Sequence, residues 1–248
     1  MYGLIGYPLG HSFSARYFGE KFSSEGIDNS YHLFPIPTIG ELDQVIRAHR
    51  DLQGLNVTIP YKEQVIPLLD NISEDASEIK AVNVIKITNN SEGRKPLLSG
   101  YNTDWKGFSL SLSPLLEGRE IRSALVLGTG GASKAVGYAL RKLGITPHFV
   151  SRNGRAEIYS YEDLDEDLIT RNLLIVNTTP LGMSPNDDTY PPIPYQFITS
   201  RHICYDLVYN PQTTEFMRRA ADQGAVVKNG LEMLYRQAEL SWEIWNAH

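Results

Sequence analysis

The sequence predicts an α/β fold of two lobes, and three features carry that prediction. Strand-length apolar runs alternate with helical patterns from the first residue onward, the rhythm of βαβ units. Near the middle of the chain, Ala124-Leu125-Val126-Leu127 runs into Gly128-Thr129-Gly130-Gly131-Ala132-Ser133 and straight on into a helical pattern. At the end, Leu231, Leu234, Ala238, Trp242 and Trp245 recur at helical spacing, an apolar stripe that predicts a last helix returning to pack on the first lobe.

Composition narrows the function classes. A chain of 248 residues suits one large or two modest domains and can bury a core. With 42% hydrophobic and 21% charged residues it is globular in composition rather than disordered. No apolar run reaches the length of a membrane span, and no basic-then-apolar leader is visible, so neither a membrane partner nor secretion is expected. Cys204 is the only cysteine; it can form no internal disulfide and lacks companions for a zinc site, so a cytoplasmic, metal-free protein is expected. A net charge of −6 argues against a protein that coats nucleic acid, and an acidic chain that binds an anion must gather positive charge locally.

Met1–Gly6 reads as the first strand and Tyr7–Gly10 as its exit loop. His11-Ser12-Phe13-Ser14 leads into a helix with Tyr17, Phe18 and Phe22 on one side. Two hydroxyls at a strand-to-helix junction can both reach one small anion such as a carboxylate, although these residues alone favour a plain serine N-cap. His11 reads as structural. A strand at Tyr31–Pro35 and a helix at Thr38–His49 follow. In Gly54–Lys62, strand alternation puts Asn56 and Thr58 on one face and Val57 and Ile59 on the other. Pro60 ends that strand, and Tyr61-Lys62 open a helix towards Leu69. A lysine in a first helical turn faces like partial charge, which is tolerable with an acid opposite, useful if its proton must leave readily, or simply solvated. A strand at Ala81–Thr88 with Asn83 near its start, a hairpin turn at Asn89–Gly93 and a return strand at Leu97–Tyr101 come next. Asp104 then stands as the N-cap of a helix over Trp105–Leu116.

The glycine-rich turn has the strand–turn–helix setting of a dinucleotide site. Gly128 permits the sharp turn, Gly130 lets the backbone approach a pyrophosphate, and Ser133 is a small residue that allows close helix–strand packing. Free N–H groups at the helix start would face the anion.

Taken in order, His11–Ser14, Gly54–Lys62, Ala81–Asn83, Gly100–Asp104, Gly128–Ser133, Asn177–Met183, Asp206–Pro211 and Asn229–Ala238 resemble the motifs of the shikimate dehydrogenase family, over nearly the whole chain. After Ser14 that family commonly continues with Pro and then His-Asn, where this chain has Ala15, Phe18 and Gly19. The resemblance implies that Ser12 and Ser14 hold a substrate carboxylate and that Thr58, Asn83, Tyr209 and Gln237 bind ring hydroxyls or the carboxylate. Lys62 and Asp104 would be the catalytic pair. Gly128, Thr129, Gly130, Gly131, Ala132 and Ser133 would hold the cofactor pyrophosphate, with backbone at Leu207 and Gly230 along the nicotinamide half. It implies an N-terminal substrate-binding and catalytic domain (1–103 plus 230–248) and a Rossmann-type NADP-binding domain (104–229).

The implied activity is NADP-dependent, reversible reduction of 3-dehydroshikimate to shikimate in aromatic amino acid biosynthesis, with a small molecule as partner and a monomer or homodimer as assembly. Alternatives are a quinate/shikimate dehydrogenase of relaxed substrate and cofactor choice, and a non-catalytic NADP-binding regulator. The regulator would be expected to lack Lys62 or Asp104, and both are present. A two-domain folate dehydrogenase would share the architecture but not the serine pair.

In the second half, Pro147–Val150 is a strand ending in Ser151-Arg152-Asn153-Gly154-Arg155. About twenty residues past the first glycine, an acid would select NAD through the ribose hydroxyls. Here stand Arg152 and Arg155, flanked by Ser151 and Asn153, and guanidinium forks suit a 2′-phosphate, so NADP preference is predicted. Only about twenty residues then separate Asn153 from the strand at Leu173–Asn177, where the family usually places a helix and a further strand. A parallel crossover takes roughly a dozen residues, so one crossover is expected here but not both elements, leaving a trimmed domain with a shortened sheet edge. Asn177–Met183 reads as a loop over the cofactor and Tyr190–Pro194 as a plain loop. His202–Leu207 reads as a strand, Thr213–Gln223 as a helix and Ala225–Lys228 as a short strand. Gly230 opens the last helix, with Gln237 off its apolar stripe.

Overall fold

The computed structural model describes residues 1–10, 12–88 and 95–247; His11 and the turn expected at Asn89–Gly93 lie outside the described residues. The chain forms two compact units, Met1–Thr103 with Gln237–His248, and Asp104–Arg236.

The first unit runs β1 (Tyr2–Gly6), α1 (Phe13–Glu25), β2 (Tyr31–Pro35), α2 (Leu42–Ala48), β3 (Gly54–Val57), β4 (Asn71–Ile72), α3 (Glu74–Ile79), β5 (Val84–Thr88) and β6 (Leu97–Tyr101). Its sheet has the order β2-β1-β3-β5-β6-β4. The pairs β2–β1, β1–β3 and β4–β6 are parallel, and β5 is antiparallel to β3 and β6. Helix α1 starts where Ser12 Oγ accepts the Ala15 N–H and stops at Gly26, whose φ of 65° continues no helix. Ile5, Leu55, Val57, Val65 and Ile85 centre an aliphatic core. An aromatic cluster forms elsewhere: Phe18 lies 5.3 Å from Trp245 between ring centroids, and Tyr2 stacks on Trp245 at 4.7 Å. A Cβ on Gly54 would lie 2.2 Å from Trp245 Nε1, so only glycine admits this ring, whose N–H donates to Ile85 O at 3.0 Å.

Two expectations fail just after β3. The alternation stops at Val57, leaving Ile59 74% exposed. The helix expected from Tyr61 towards Leu69 does not form: Val65 N bonds Tyr61 O, and the segment then tightens into a single 3-10 turn, Ile66–Leu68. Pro67 has no N–H to donate and disfavours α conformation in the residue before it. The helix-dipole argument about Lys62 therefore falls away.

The second unit runs α4 (Asp104–Leu116), β7 (Ser123–Leu127), α5 (Gly131–Lys142), β8 (Thr146–Ser151), β9 (Ile158–Ser160), α6 (Glu166–Arg171), β10 (Leu174–Asn177), β11 (Ile203–Asp206), α7 (Glu215–Asp222) and β12 (Val226–Lys228). Its sheet, β12-β11-β10-β7-β8-β9, is parallel throughout. Strands β10 and β11 are buried at every residue, as a parallel sheet covered on both faces requires. Asp104 is the first helical residue of α4 rather than its cap. The segment after β8 holds more than expected, because residues 152–157 alone connect β8 to the short β9, and α6 still follows.

Helix α8 (Leu231–Asn246) begins in the second unit and ends in the first. Its buried side chains are Met233, Gln237, Ala238, Leu240, Ser241 and Trp245. The buried face is thus rotated from the expected stripe, and Gln237, at 7% exposure, lies on it rather than off it. Among the described residues, no helix is long and apolar enough to cross a membrane.

Gly54→Ala should lower stability by about 1–3 kcal/mol through overpacking against Trp245. Gly19→Ala, whose added Cβ meets nothing within 4 Å, should leave stability unchanged or raise it. Urea unfolding midpoints at unchanged m-value check the pair.

Candidate functional site

In the first unit, polar side chains gather at the end of β3. Asn56, 5% exposed, accepts the Tyr31 hydroxyl proton on Oδ1 (2.7 Å), while its Nδ2 donates to Ser241 Oγ (3.1 Å) and Asn83 O (3.4 Å). Burial pushes the Tyr31 phenol pKa up, with nearby Ser14 pulling the other way. Asn83 Oδ1 accepts the Thr103 N–H (2.7 Å), and its Nδ2 faces Thr103 Oγ1 (2.9 Å) and Gln237 Oε1 (3.5 Å). Ser241 closes the chain by donating to Gln237 O (2.7 Å) and meeting Thr103 Oγ1 (3.4 Å). Two residues assigned to substrate by resemblance, Asn83 and Gln237, are thereby joined with Tyr31, Asn56, Thr103 and Ser241. Ser12 serves as the α1 cap. Thr58 and Lys62 are half-buried; the Thr58 N–H donates to Ile5 O, and Lys62 O accepts the Val82 N–H.

In the second unit, β7 ends in Gly128, whose φ of +116° and contact with Thr178 Oγ1 (2.6 Å from a built Cβ) exclude other residues. Gly130 caps α5 with no side-chain bond and no acid in the first turn, and a Cβ there would meet nothing within 4 Å. Thr129 is exposed and Gly131 and Ala132 half-buried; buried Ser133 turns its hydroxyl onto Gly130 O (2.6 Å). Uncapped N–H groups at a 12-residue helix, with room over Gly130, fit a pyrophosphate. Beyond β8, Ser151 Oγ donates to Asn153 O (2.7 Å), and the Arg152 guanidinium lies near enough to Tyr161 to oppose the rise that burial gives its pKa. Arg155 pairs its backbone with Ile158 and, with His148 and Tyr159, lines a cavity of about 750 Å³.

Two loops at the ends of β10 and β11 are tied by one carboxylate. Asp206 is fully buried and accepts from Thr214 Oγ1 (2.6 Å), Asn177 Nδ2 (2.9 Å) and the Val208 N–H (3.0 Å). Burial pushes its pKa up to about 6, against the lowering effect of those three bonds. Asn177 Oδ1 in turn accepts from Thr179 N and Oγ1. Leu207, beyond Asp206, lies so close to Gly230 that a Cβ there would sit 2.1 Å from Leu207 O. Tyr209 is half-buried in the same loop, and Asp104, 7% exposed, opens α4.

Residues 4–85 match the family model described as the shikimate dehydrogenase substrate binding domain. A shikimate dehydrogenase (NADP+) of Carboxydothermus hydrogenoformans is 36% identical over 261 residues, spanning 98% of this chain and 90% of that protein. The chain belongs to the shikimate dehydrogenase family. The crystal structure of shikimate dehydrogenase from Aquifex aeolicus is similar at a TM-score of 0.86 and 34% identity, covering 99% of this chain and 91% of that one. That of shikimate 5-dehydrogenase from Thermus thermophilus, in complex with NADP(H) and shikimate, matches at a TM-score of 0.83 and 30% identity, covering 99% and 92%.

Within this family member, sequence reasoning missed Tyr31, Thr103 and Ser241, and gave Asn56 a face but no role. The shared face of Asn56 and Thr58 was the one local signal. Asp206 and Asn177 lay inside quoted motifs, but their bond joins two strand ends 29 residues apart and has no local mark.

Asp206 binds its proton more tightly folded than unfolded, where a carboxyl titrates near ~3.9. Its favourable contribution is therefore present below about pH 4 and lost as pH rises through about 6. Asp206→Asn cannot titrate, so its stability relative to the native chain should improve by about 2–3 kcal/mol from pH 4 to pH 7. Urea unfolding across that range tests this; a constant difference would refute the buried-carboxylate account.

Proposed function

We propose that the chain is an NADP-dependent shikimate dehydrogenase that interconverts 3-dehydroshikimate and shikimate in aromatic amino acid biosynthesis. The observation that carries this reading is the buried network of the first unit, which joins Asn83 and Gln237 with Asn56, Thr103 and Ser241 in one polar cluster. A polyhydroxylated ring acid needs such a cluster: donors for its carboxylate and paired amides for its hydroxyls. The first unit is then the substrate-binding unit and the second the dinucleotide-binding unit. The lone Cys204 is buried, and burial raises its thiol pKa, so it takes no part in the chemistry and suits a cytoplasmic enzyme.

Gly128–Ser133 would hold the pyrophosphate and Arg152 with Arg155 the 2′-phosphate. The bound dinucleotide supplies a hydride donor and acceptor. Lys62 gives a proton to the carbonyl oxygen in reduction and takes it from the hydroxyl in oxidation. Asp104 accepts a hydrogen bond from the same hydroxyl and offsets the desolvation of a lysine beside bound substrate. Ser12 and Ser14 donate to the carboxylate, and Thr58 and Tyr209 complete the polar lining.

Lys62→Ala should cut kcat by about 10²–10⁴ while moving KM for shikimate far less, since a positioned acid–base group acts on the transition state. Initial rates of NADP+ reduction by shikimate measure this; a loss of less than about threefold removes Lys62 from the role. Arg152→Ala should raise KM for NADP+ by about tenfold and leave KM for NAD+ within about twofold, because the lost bonds are to a phosphate that NAD lacks. Parallel assays with the two cofactors, with quinate as a second substrate, check the assignment. Equal rises for both cofactors would place the 2′-phosphate elsewhere.

A further inference from the structure

The Asp206 carboxylate divides its bonds between its two oxygens. Oδ2 takes the Thr214 hydroxyl (2.6 Å), which in turn accepts the Met217 N–H (3.3 Å) and so caps α7. Oδ1 takes Asn177 Nδ2 (2.9 Å) from the end of β10 and the Val208 N–H (3.0 Å) from the loop beyond β11. On the β10 side the Thr179 N–H donates to Asn177 Oδ1, which fixes the amide and leaves Nδ2 for Asp206, with Leu181 O farther off at 3.4 Å. Thr178, next to Asn177, lies on the glycine turn: its hydroxyl donates to Leu127 O (2.7 Å), and a Cβ on Gly128 would sit 2.6 Å from that hydroxyl. On the β11 side Val208 O accepts the Gly230 N–H (3.2 Å), and a Cβ on Gly230 would collide with Leu207 O. Other bonds hold the same loops at other points: the Leu207 N–H on Asn177 O continues the sheet ladder, and the Ser184 N–H on Asn210 O lies farther along both. Asp206 Oδ1 is where side chain and backbone of their near ends meet.

We infer that Asp206 is a positioning residue for the nicotinamide half of the cofactor: through Oδ1 it holds the first residues of both loops, and with them the backbone at Thr178 beside Gly128 and at Leu207 beside Gly230. Fully buried, it acts through the loops rather than by contact. The inference rests on the dinucleotide-binding reading of the second unit and deepens it. It separates two tasks within one carboxylate: Oδ1 serves the cofactor loops, whereas Oδ2 serves the start of α7. The charge itself is not required for the first task. An amide at this position can offer its oxygen to Asn177 Nδ2 and the Val208 N–H, and its nitrogen to Thr214 Oγ1.

Isothermal titration calorimetry of the whole chain with NADPH, NADH and adenosine 2′,5′-bisphosphate, which lacks the nicotinamide half, reads this without turnover. Asn177→Leu removes the donor to Asp206 Oδ1 and should raise Kd for NADPH and for NADH about tenfold each, as for a lost buried hydrogen bond. Kd for the bisphosphate should stay within about twofold. Where Asn177→Leu does not fold, Asn177→Ser makes the same cut with a smaller change. Thr214→Val cuts only the Oδ2 arm and should lower the urea midpoint while leaving all three Kd values within about twofold. Asp206→Asn keeps both Oδ1 bonds and should likewise leave all three in place. A purely structural role would lower the fraction of chain that binds, or weaken all three ligands alike, and Thr214→Val would do the same. That pattern, or Kd for NADPH within about twofold in the Asn177 variant that folds, overturns the inference. If the native chain binds NADPH but does not oxidise shikimate, the enzyme assignment fails and this inference stands; if it binds neither dinucleotide, both fail.

Discussion

A polar side chain carried into the interior at a strand end must find a partner for each polar atom, and both units are built around meeting that demand. An unmet buried donor or acceptor costs roughly 1–3 kcal/mol, a sizeable part of the net stability of any domain. In the first unit the demand comes from Asn56 on β3 and is met by the Tyr31 hydroxyl, the Asn83 carbonyl and Ser241. In the second it comes from Asn177 on β10 and Asp206 on β11, and is met by Thr179, Val208 and Thr214. The partners lie on the segments that leave those strands or on distant elements, so the bonds that satisfy the interior also hold the loops. Side chains with chemistry to perform ride on backbone fixed in this way.

How much of this was legible follows from the range of each interaction. The strands and α5 are written locally, in apolar runs bounded by turn residues and in the strand–turn–helix at Gly128–Ser133. The segment after Lys62 carries a helical pattern that Pro67 interrupts. Polarity alone puts Gln237 off the buried face; α8 buries Gln237 and Ser241 beside Ala238 and Trp245. The bond between Asn56 and Ser241 spans 185 positions, and no periodicity within either segment announces it. Hydrophobic pattern reports which faces are buried, and it is blind to polar groups buried as a satisfied set.

The same distinction separates the residues that the resemblance assigns to cofactor from those it assigns to substrate. The glycine turn is legible because a dinucleotide is in general held largely by backbone, and backbone conformation leaves a glycine signature: Gly128 at φ +116° and Gly130 with open space above it. A hydroxylated ring acid is held by side-chain amides and hydroxyls whose usefulness depends on which end of each amide faces the ligand. That orientation is a property of the network: the Thr103 N–H turns the Asn83 amide, and the Asn83 carbonyl turns the Asn56 amide.

The shortened edge of the second sheet follows from register. A crossover of a dozen residues is needed when the chain must travel back along a full-length parallel strand. Here β9 pairs only with Phe149, Val150 and Ser151, the last part of β8. The chain leaving Ser151 has to recover about two residues of rise, roughly 7 Å, and step sideways by one strand spacing of roughly 5 Å. Residues 152–157 span that without a helix, helped by the Arg155–Ile158 backbone pair and by Glu157, which takes a left-handed φ of 67°. Arg152 and Arg155 both fall inside this link, just past the C-terminal end of β8, so the shortened crossover keeps a cationic pair at the end of the sheet where α5 presents its uncapped N–H groups. Shortening elsewhere, in the glycine turn or between β10 and β11, would remove the Gly128–Ser133 turn or the loops tied by Asp206; shortening here leaves those in place, with the cavity of about 750 Å³ beside His148 and Tyr159.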